Sequence, residues 1–376
     1  MFIKKDLRKI PSILEHAVDC HNNNDDETMS TSANATNNDT SHHRDPKRTK
    51  VQEPLRELRL SRRSQEFQGT VQVLCQPQYA PKLTALKSLS LYDCQISHLQ
   101  GLGGMFSASS PELETLNLGR NPISNIPDDF AKMQSLKHVW MDDCRLEGAL
   151  PKPLMELRNL ESLRLPHNRI TEVQLLEKTL DAFDTEILPQ ERLKILCLDR
   201  NALVELPEKM KEWVPHLEEL MVRHNQLKEL GSETLPPSLR ILHVSSNQLT
   251  NLDALMKKGA DGTTTDDAAT LETSHCPNLT HLYANANKLI SLPKGIVTAH
   301  VYWQRLVISH NDTLHELPEE LWEKIDSMAG KDGSDDEDAV PEGCAVLWQP
   351  NPNLKKPGSE ENDGDVADAG SAMEEE

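Results

Sequence analysis

Aromatic side chains are scarce in this chain of 376 residues, at 4% of the composition. A core with few rings needs another bulky apolar residue in quantity, and leucine supplies it. Long hydrophobic runs are also missing. Charges interrupt every apolar stretch of residues 1–18, MFIKKDLRKIPSILEHAV, so neither a signal peptide nor a membrane span is expected and the chain should be soluble. Cysteine is sparse and unordered. Cys20, Cys75, Cys94, Cys144, Cys197, Cys276 and Cys344 are odd in number and nowhere spaced as CxxC, which fits reduced thiols of an intracellular protein better than a disulfide framework.

Motifs that carry chemistry are lacking too. No HxH or HExxH pair is present, so no metal and no other cofactor is expected. GLGG at residues 101–104 is not followed by GK[ST], which makes it a turn and not a phosphate loop. The net charge is −20, and residues 331–376 hold fourteen acids against three bases, so more than half of it sits in the last eighth of the chain. No continuous cationic track is offered to phosphates, which excludes nucleic acid as the expected partner.

What is present is one phrase, repeated. LKILCLDRNAL (193–203), LEELMVRHNQL (217–227) and LRILHVSSNQL (239–249) all fit LxxLxLxxNxL. On these residues the chain resembles the leucine-rich repeat family. Taking the first template leucine of each unit gives Leu55, Leu86, Leu113, Leu136, Leu160, Leu193, Leu217, Leu239 and Leu279, with Trp303 next in that place. The short spacings set the period at 22 to 24 residues, and the long ones mark insertions. Val346, Trp348, Asn351 and Leu354 align with Leu306, Ile308, Asn311 and Leu314, so a last atypical strand is expected to close the array, with Trp348 over the final leucine layer. The fold class expected is therefore an α/β leucine-rich repeat solenoid, a horseshoe arc with a parallel concave sheet of about ten or eleven strands.

The expected organisation is a short amphipathic helix at 1–20, a disordered linker at 21–54, the array at 55–328, an acidic disordered insertion at 329–342, the capping repeat at 343–356 and an acidic disordered tail at 357–376. Within the array, QLLEKTLDAFDTEILPQ (174–190) has helical spacing and is expected to form a helix on the outer side, and 257–275 a mobile loop. Asn121, Asn168, Asn201, Asn225, Asn247, Asn287 and Asn311 are expected to be buried and to satisfy turn backbone, with Cys94 and Cys144 in that place in their units.

Side chains alternate along a strand, so template positions 1, 4 and 6 point inward and 3, 5 and 7 outward, joined by position 8 at the rim. This selects Tyr92, Trp140, Asp142, Asp143, Arg164, Cys197, Asp199, Arg200, Met221, Arg223, His224, His243 and Tyr283 as candidate partner-contacting residues. Trp140 with Arg164, Arg200 and Arg223 forms the expected hot-spot band, because aromatics and arginine dominate binding energy where they are desolvated. Charge splits along the arc, with Asp93, Asp142 and Asp143 toward one end and Arg200, Arg223, Arg305 and most histidines toward the other. Ser334, followed by Asp335, Asp336, Glu337 and Asp338, is a phosphorylation candidate.

The 22 to 24 spacing with xLPxxL returns, as at Leu206-Pro207 and Leu292-Pro293, resembles the intracellular "typical" leucine-rich repeats, including plant Ras-group-related proteins. The resemblance implies a scaffold or recognition module without enzymatic activity. The function expected is a protein-binding scaffold or regulatory subunit in intracellular signalling, monomeric alone and cytoplasmic, whose concave face holds a protein of the GTPase, kinase or phosphatase class. The alternative is a nuclear leucine-rich repeat protein that uses its acidic tail to hold basic partners such as histones.

Overall fold

In a computed structural model the described residues are 55–354, apart from 77–78, 80–82, 84, 110–111, 182–183, 232–233, 258–273, 301–302 and 330–344. The helix expected at 1–20, the linker, most of the 257–275 loop, nearly all of the acidic insertion, the tail and Ser334 lie outside them.

Eleven short strands form one sheet: β1 (Glu57–Arg59), β2 (Ser88–Ser90), β3 (Thr115–Asn117), β4 (His138–Trp140), β6 (Ser162–Arg164), β10 (Ile195–Cys197), β11 (Glu219–Met221), β12 (Ile241–His243), β13 (His281–Tyr283), β14 (Arg305–Val307) and β15 (Ala345–Leu347). Each pairs in parallel with the strand of the next unit. The register joins like positions, so Leu196 lies opposite Leu220, and Leu220 opposite Leu242. A slip of one residue would turn this whole leucine row outward, which is why the repeat fixes the register. The inward leucines at positions 1, 4 and 6 are buried almost completely from Leu58 to Ile308. Burying each is worth about 2 kcal/mol. A single unit cannot hide its own leucine face, so that stabilisation exists only once the neighbours have stacked.

The asparagines stitch the units together as expected. Asn225 Nδ2 donates to the Leu198 carbonyl of the preceding unit at 2.9 Å and to the Val222 carbonyl of its own at 3.0 Å, while its Oδ1 accepts from Leu203 N at 3.0 Å. Asn247 and Asn287 repeat the pattern. Where cysteine stands in the place of asparagine the stitch is thinner: the Cys94 thiol donates to the Leu60 carbonyl at 2.8 Å and the Cys144 thiol to the Leu118 carbonyl at 3.5 Å.

The return segments carry short helical turns, among them Asp128–Lys132, Lys152–Met155 and Met210–Trp213. The GLGG stretch is explained here. It opens the helix Leu102–Ser109, not merely a turn, and a Cβ on Gly103 would lie 1.7 Å from the Asp129 carbonyl oxygen of the neighbouring return. In the next two units β5 (Glu147–Ala149) pairs in parallel with β7 (Arg169–Glu172) to make a second, two-stranded sheet.

The expected helix at 174–190 is not formed. That insertion is an antiparallel hairpin of β8 (Glu177–Asp181) and β9 (Asp184–Ile187), with Lys178 opposite Glu186 and Thr179 opposite Thr185. Helical spacing of leucines alone therefore did not fix this segment, which lies outside the repeat template. Its base is clamped: Arg158 Nη1 donates to the Leu188 and Pro189 carbonyls at 3.3 and 3.2 Å, and Gln190 Nε2 donates to the Met155 carbonyl.

At the far end the closing strand stands where the alignment put it, with Val346 opposite Leu306. Trp348 packs on the core and meets Trp322 edge to face at 5.4 Å, Trp322 coming from the helix Glu319–Ala329. The eleventh strand therefore caps the last leucine layer.

Candidate functional site: the outward face of the main sheet

The outward side chains of neighbouring strands stand in rows across the eleven-stranded sheet. Trp140 lies opposite Arg164, and Arg164 opposite Cys197; Met221 lies opposite His243, and His243 opposite Tyr283. Trp140, Tyr92, Met221, His243 and Tyr283 are partly buried, and Arg164, Arg200, Arg223 and His224 are exposed. The Trp140 indole Nε1 is buried without a hydrogen-bond partner among the described residues.

Two of the selected residues do not face a ligand. Cys197 and Asp199 are covered, at 6% and 2% exposure. Asp199 is held by Arg223, whose main-chain N and Nε donate to its two oxygens at 2.8 and 2.6 Å. Cys197 stands between Arg164 and Met221 on the neighbouring strands and Asp199 lies under Arg223, a burial that strand alternation alone does not reveal. Asp199 is therefore a buried anchor that aims Arg223. Cys197 is an inert thiol, pushed up to about 11 by burial and by the Asp199 charge. A thiol held protonated is a poor nucleophile at neutral pH.

The rim residue after each strand is left-handed in unit after unit: φ is 56° at Asp93, 53° at Arg120, 52° at Asp143, 53° at Arg200, 54° at His224 and 55° at Ala286. This repeated turn aims position 8 along the edge of the face. In the first four units those residues pair, Arg62 with Asp93 at 3.8 Å and Arg120 with Asp143 at 3.7 Å, and Arg120 also lies over the Tyr92 ring at 5.7 Å. From the fifth unit the series runs His167, Arg200, His224. Among the described residues no carboxylate lies within 4.0 Å of Arg164 or Arg200. The crowding of like charge is felt by His224, which burial and then Arg200 and Arg223 hold below the ordinary histidine range.

Further along, His243 stacks on Tyr283 at 4.4 Å, His281 lies 6.4 Å from the same ring, and Arg305 lies over it at 5.9 Å. Burial, more than the neighbouring arginines, lowers the pKa of both histidines. Among the described residues no group of three His, Cys, Asp or Glu side chains is placed to hold a metal ion, and no helix is long and apolar enough to cross a membrane.

The strand-start edge holds an open groove of about 710 Å³ lined by residues that include Glu161, Lys194, Glu218 and Arg240. Several of its charges already meet one another, Lys194 with Glu218 at 3.1 Å and Arg240 with Glu218 at 3.8 Å.

One buried polar pair escaped the template. Ser274 Oγ and His300 Nε2 lie 2.7 Å apart at the neck of the 257–275 insertion, and His300 Nδ1 is 3.0 Å from the Ile296 carbonyl. The two residues belong to return segments of different units, where no repeat position marks them.

Residues 112–133 match the family model described as Leucine Rich Repeat. Among curated proteins the chain is similar to leucine-rich repeat serine/threonine-protein kinase 1 of Mus musculus, 27% identical over 292 residues that cover 64% of this chain and 14% of the kinase. It is also similar to osteomodulin of Bos taurus, 22% identical over 267 residues that cover 62% of this chain and 58% of that protein. The chain thus spans less than two thirds of either relative. Among solved structures it is similar to an internalin from Listeria monocytogenes, with a TM-score of 0.44, 17% identity and coverage of 65% of this chain and 64% of that one. A plant ice-binding protein gives a TM-score of 0.42, 19% identity and coverage of 62% and 66%.

Proposed function

We propose that this chain, whose fold is a leucine-rich repeat solenoid with an eleven-stranded parallel sheet, is a non-catalytic interaction scaffold or regulatory subunit in intracellular signalling, holding a protein partner across the outward face of that sheet. The observation that supports this most is the row of large side chains left partly uncovered there, Tyr92, Trp140, Met221 and Tyr283, with Arg164 and Arg223 among them. A monomer gains little by keeping a tryptophan there with its indole donor unmet. A partner that covers the exposed part of the Trp140 ring and accepts from Arg164 draws on the residue types that dominate interfaces.

The partner class in this proposal is a GTPase, kinase or phosphatase, and the location is the cytoplasm, in keeping with free thiols at Cys75, Cys94, Cys144, Cys197 and Cys276. No catalysis is assigned: the open wall supplies no desolvated pocket and no oxyanion hole, and its one cysteine is held protonated. The test is affinity capture from cell extract with the wild type, Trp140→Ala and Arg164→Glu. Loss of one common interactor in both variants supports the reading, and an identical set of interactors in all three refutes it.

The acid-rich stretch 331–376 favours a second reading, in which that stretch holds basic nuclear partners such as histones. Salt separates the two, since binding through the acidic stretch collapses by a few hundred millimolar and binding centred on Trp140 persists.

A further inference from the structure

The outward face from β6 to β14 is electropositive in a chain whose net charge is −20. Its outward and rim positions present four arginines, Arg164, Arg200, Arg223 and Arg305, against two acids, Asp199 and Glu219. Asp199 is buried and already bonded to Arg223. Arg164 and Arg200 are exposed and have no carboxylate within 4.0 Å among the described residues. His167 and His224 stand in the same rim series as Arg200, and His243 faces outward two strands further on. The first four units cannot serve in the same way, because their rim arginines are matched by Asp93 and Asp143. One stretch of the face therefore carries positive charge that its own fold does not neutralise.

The same chain contains a matching ligand. Residues 357–376, PGSEENDGDVADAGSAMEEE, hold eight acids and no base. They follow the capping strand closely: β15 ends at Leu347, and Asn351 is still bonded to the Ile308 carbonyl at 3.1 Å. From β15 the sheet order runs back through β14, β13 and β12 to β11, beside Arg223, and then through β10 to β6, which carries Arg164. At about 4.8 Å per strand those are four and six steps, roughly 20 to 30 Å. Twenty-two residues beyond Leu354 span up to roughly 70 Å. The acidic segment can reach the whole arginine band with more than half of its length to spare.

We infer that residues 357–376 dock on the arginine band of this chain's own outward face, centred on Arg164 and Arg200, so that an incoming partner must displace them. The inference takes the location of the face from the function proposed above. It can still be tested with no partner present, so failure of either experiment leaves the other standing. The segment approaches the arginines by charge, and tethering supplies a local concentration in the millimolar range that makes weak contacts count. Contacts of this kind weaken as salt shortens the reach of each charge.

The test uses the full chain and a fluorescent peptide of residues 357–376. One form of the chain has the eight acids of that segment replaced by Asn or Gln, which keeps its length and alters no residue of the described fold. The peptide is expected to bind this neutralised chain saturably, to bind the wild type about tenfold more weakly because the tethered copy competes, and to weaken on both as salt rises. Adding Arg164→Glu and Arg200→Glu to the neutralised chain is expected to abolish binding. Both positions are exposed, and circular dichroism checks that the fold is kept. Arg164→Gln with Arg200→Gln reverses no charge and gives a smaller loss in the same direction. Arg223 is left alone, since changing it strips buried Asp199 of its partner. No saturable binding to the neutralised chain, equal binding to the wild type, or binding indifferent to both arginine pairs would each overturn the inference.

Discussion

The first four units and the ones that follow share a backbone and differ in what they leave unfinished. In the first four, the left-handed rim residues alternate in charge and close on one another as Arg62 with Asp93 and Arg120 with Asp143. From His167 on the alternation stops, and among the described residues Arg200 has no carboxylate within 4.0 Å. The interior differs in the opposite sense. In two of the early units thiols stand in the ladder, Cys94 and Cys144 reaching the Leu60 and Leu118 carbonyls of the preceding units, whereas the later ones carry a continuous asparagine ladder. Among the described residues the later units thus carry the fuller asparagine ladder inside and fewer ion pairs along the rim, which is the combination expected of a regular stretch that presents a binding surface.

The interior half of this comparison gives the largest effect. Asn225→Ala removes two donors and one acceptor at once and leaves Leu203 N without a partner, which is expected to cost about 3 kcal/mol. Cys144→Ala removes a thiol with two long contacts, to the Leu118 and Asp142 carbonyls, for about 1 kcal/mol. Urea midpoints measure both. Equal losses would mean that the two kinds of stitch are worth the same, and the interior contrast would be gone.

The outer half is tested by charge reversal at matched pairs of sites. Arg164→Glu with Arg200→Glu is expected to weaken capture of the partner at least tenfold, about 1.4 kcal/mol. Arg62→Glu with Arg120→Glu should change it by no more than about twofold, since those cations are already partnered on a screened surface. Equal losses from the two pairs would show that the partner reads the whole arc and not its arginine band.

A third contrast concerns acid. His224, His243, His281 and His300 all lie in the later units, and burial is the first cause of the lowered pKa in each. A histidine whose folded pKa is lowered is neutral in the fold while the unfolded chain already binds a proton. Its contribution is therefore complete above the ordinary value of about 6.5 and is lost as the pH falls through it. Stability is expected to drop between pH 7.5 and 5.5, and His300→Gln, which removes the buried histidine bonded to Ser274, should flatten that slope. An unchanged slope would assign the acid sensitivity to the three histidines on the face.

Much of this molecule was legible beforehand because the repeat states it redundantly. Ten strands were marked by their leucines, and even β15 was found from Val346, Trp348, Asn351 and Leu354. The outward positions followed from strand alternation, but alternation says which way a side chain leaves the backbone and not what later covers it. Asp199 and Cys197, selected as outward, are covered for that reason. The insertion at 174–190 was misjudged because it lies outside the template, where leucine spacing alone does not decide between helix and hairpin. The Ser274 and His300 pair had no signal at all, since no repeat position marks either residue.

The smallest effect tests the backbone that both regions share. Ala286 holds φ of 55°, a conformation that disfavours any residue with a Cβ, and it is the smallest side chain in the rim series. Ala286→Gly relieves that conformation and is expected to stabilise the fold by a little under 1 kcal/mol, despite the greater freedom it gives the unfolded chain. Arg120 has the same backbone, with φ of 53°, but its side chain also meets Asp143 and covers Tyr92. Arg120→Gly therefore trades the same relief against an exposed ion pair and a cation–π contact, each worth about half a kcal/mol or more, and should come out close to neutral. If the two glycine variants shift the thermal midpoint equally, the rim pairs of the first four units contribute nothing to stability, and their one remaining role is to neutralise charge that the later units leave open.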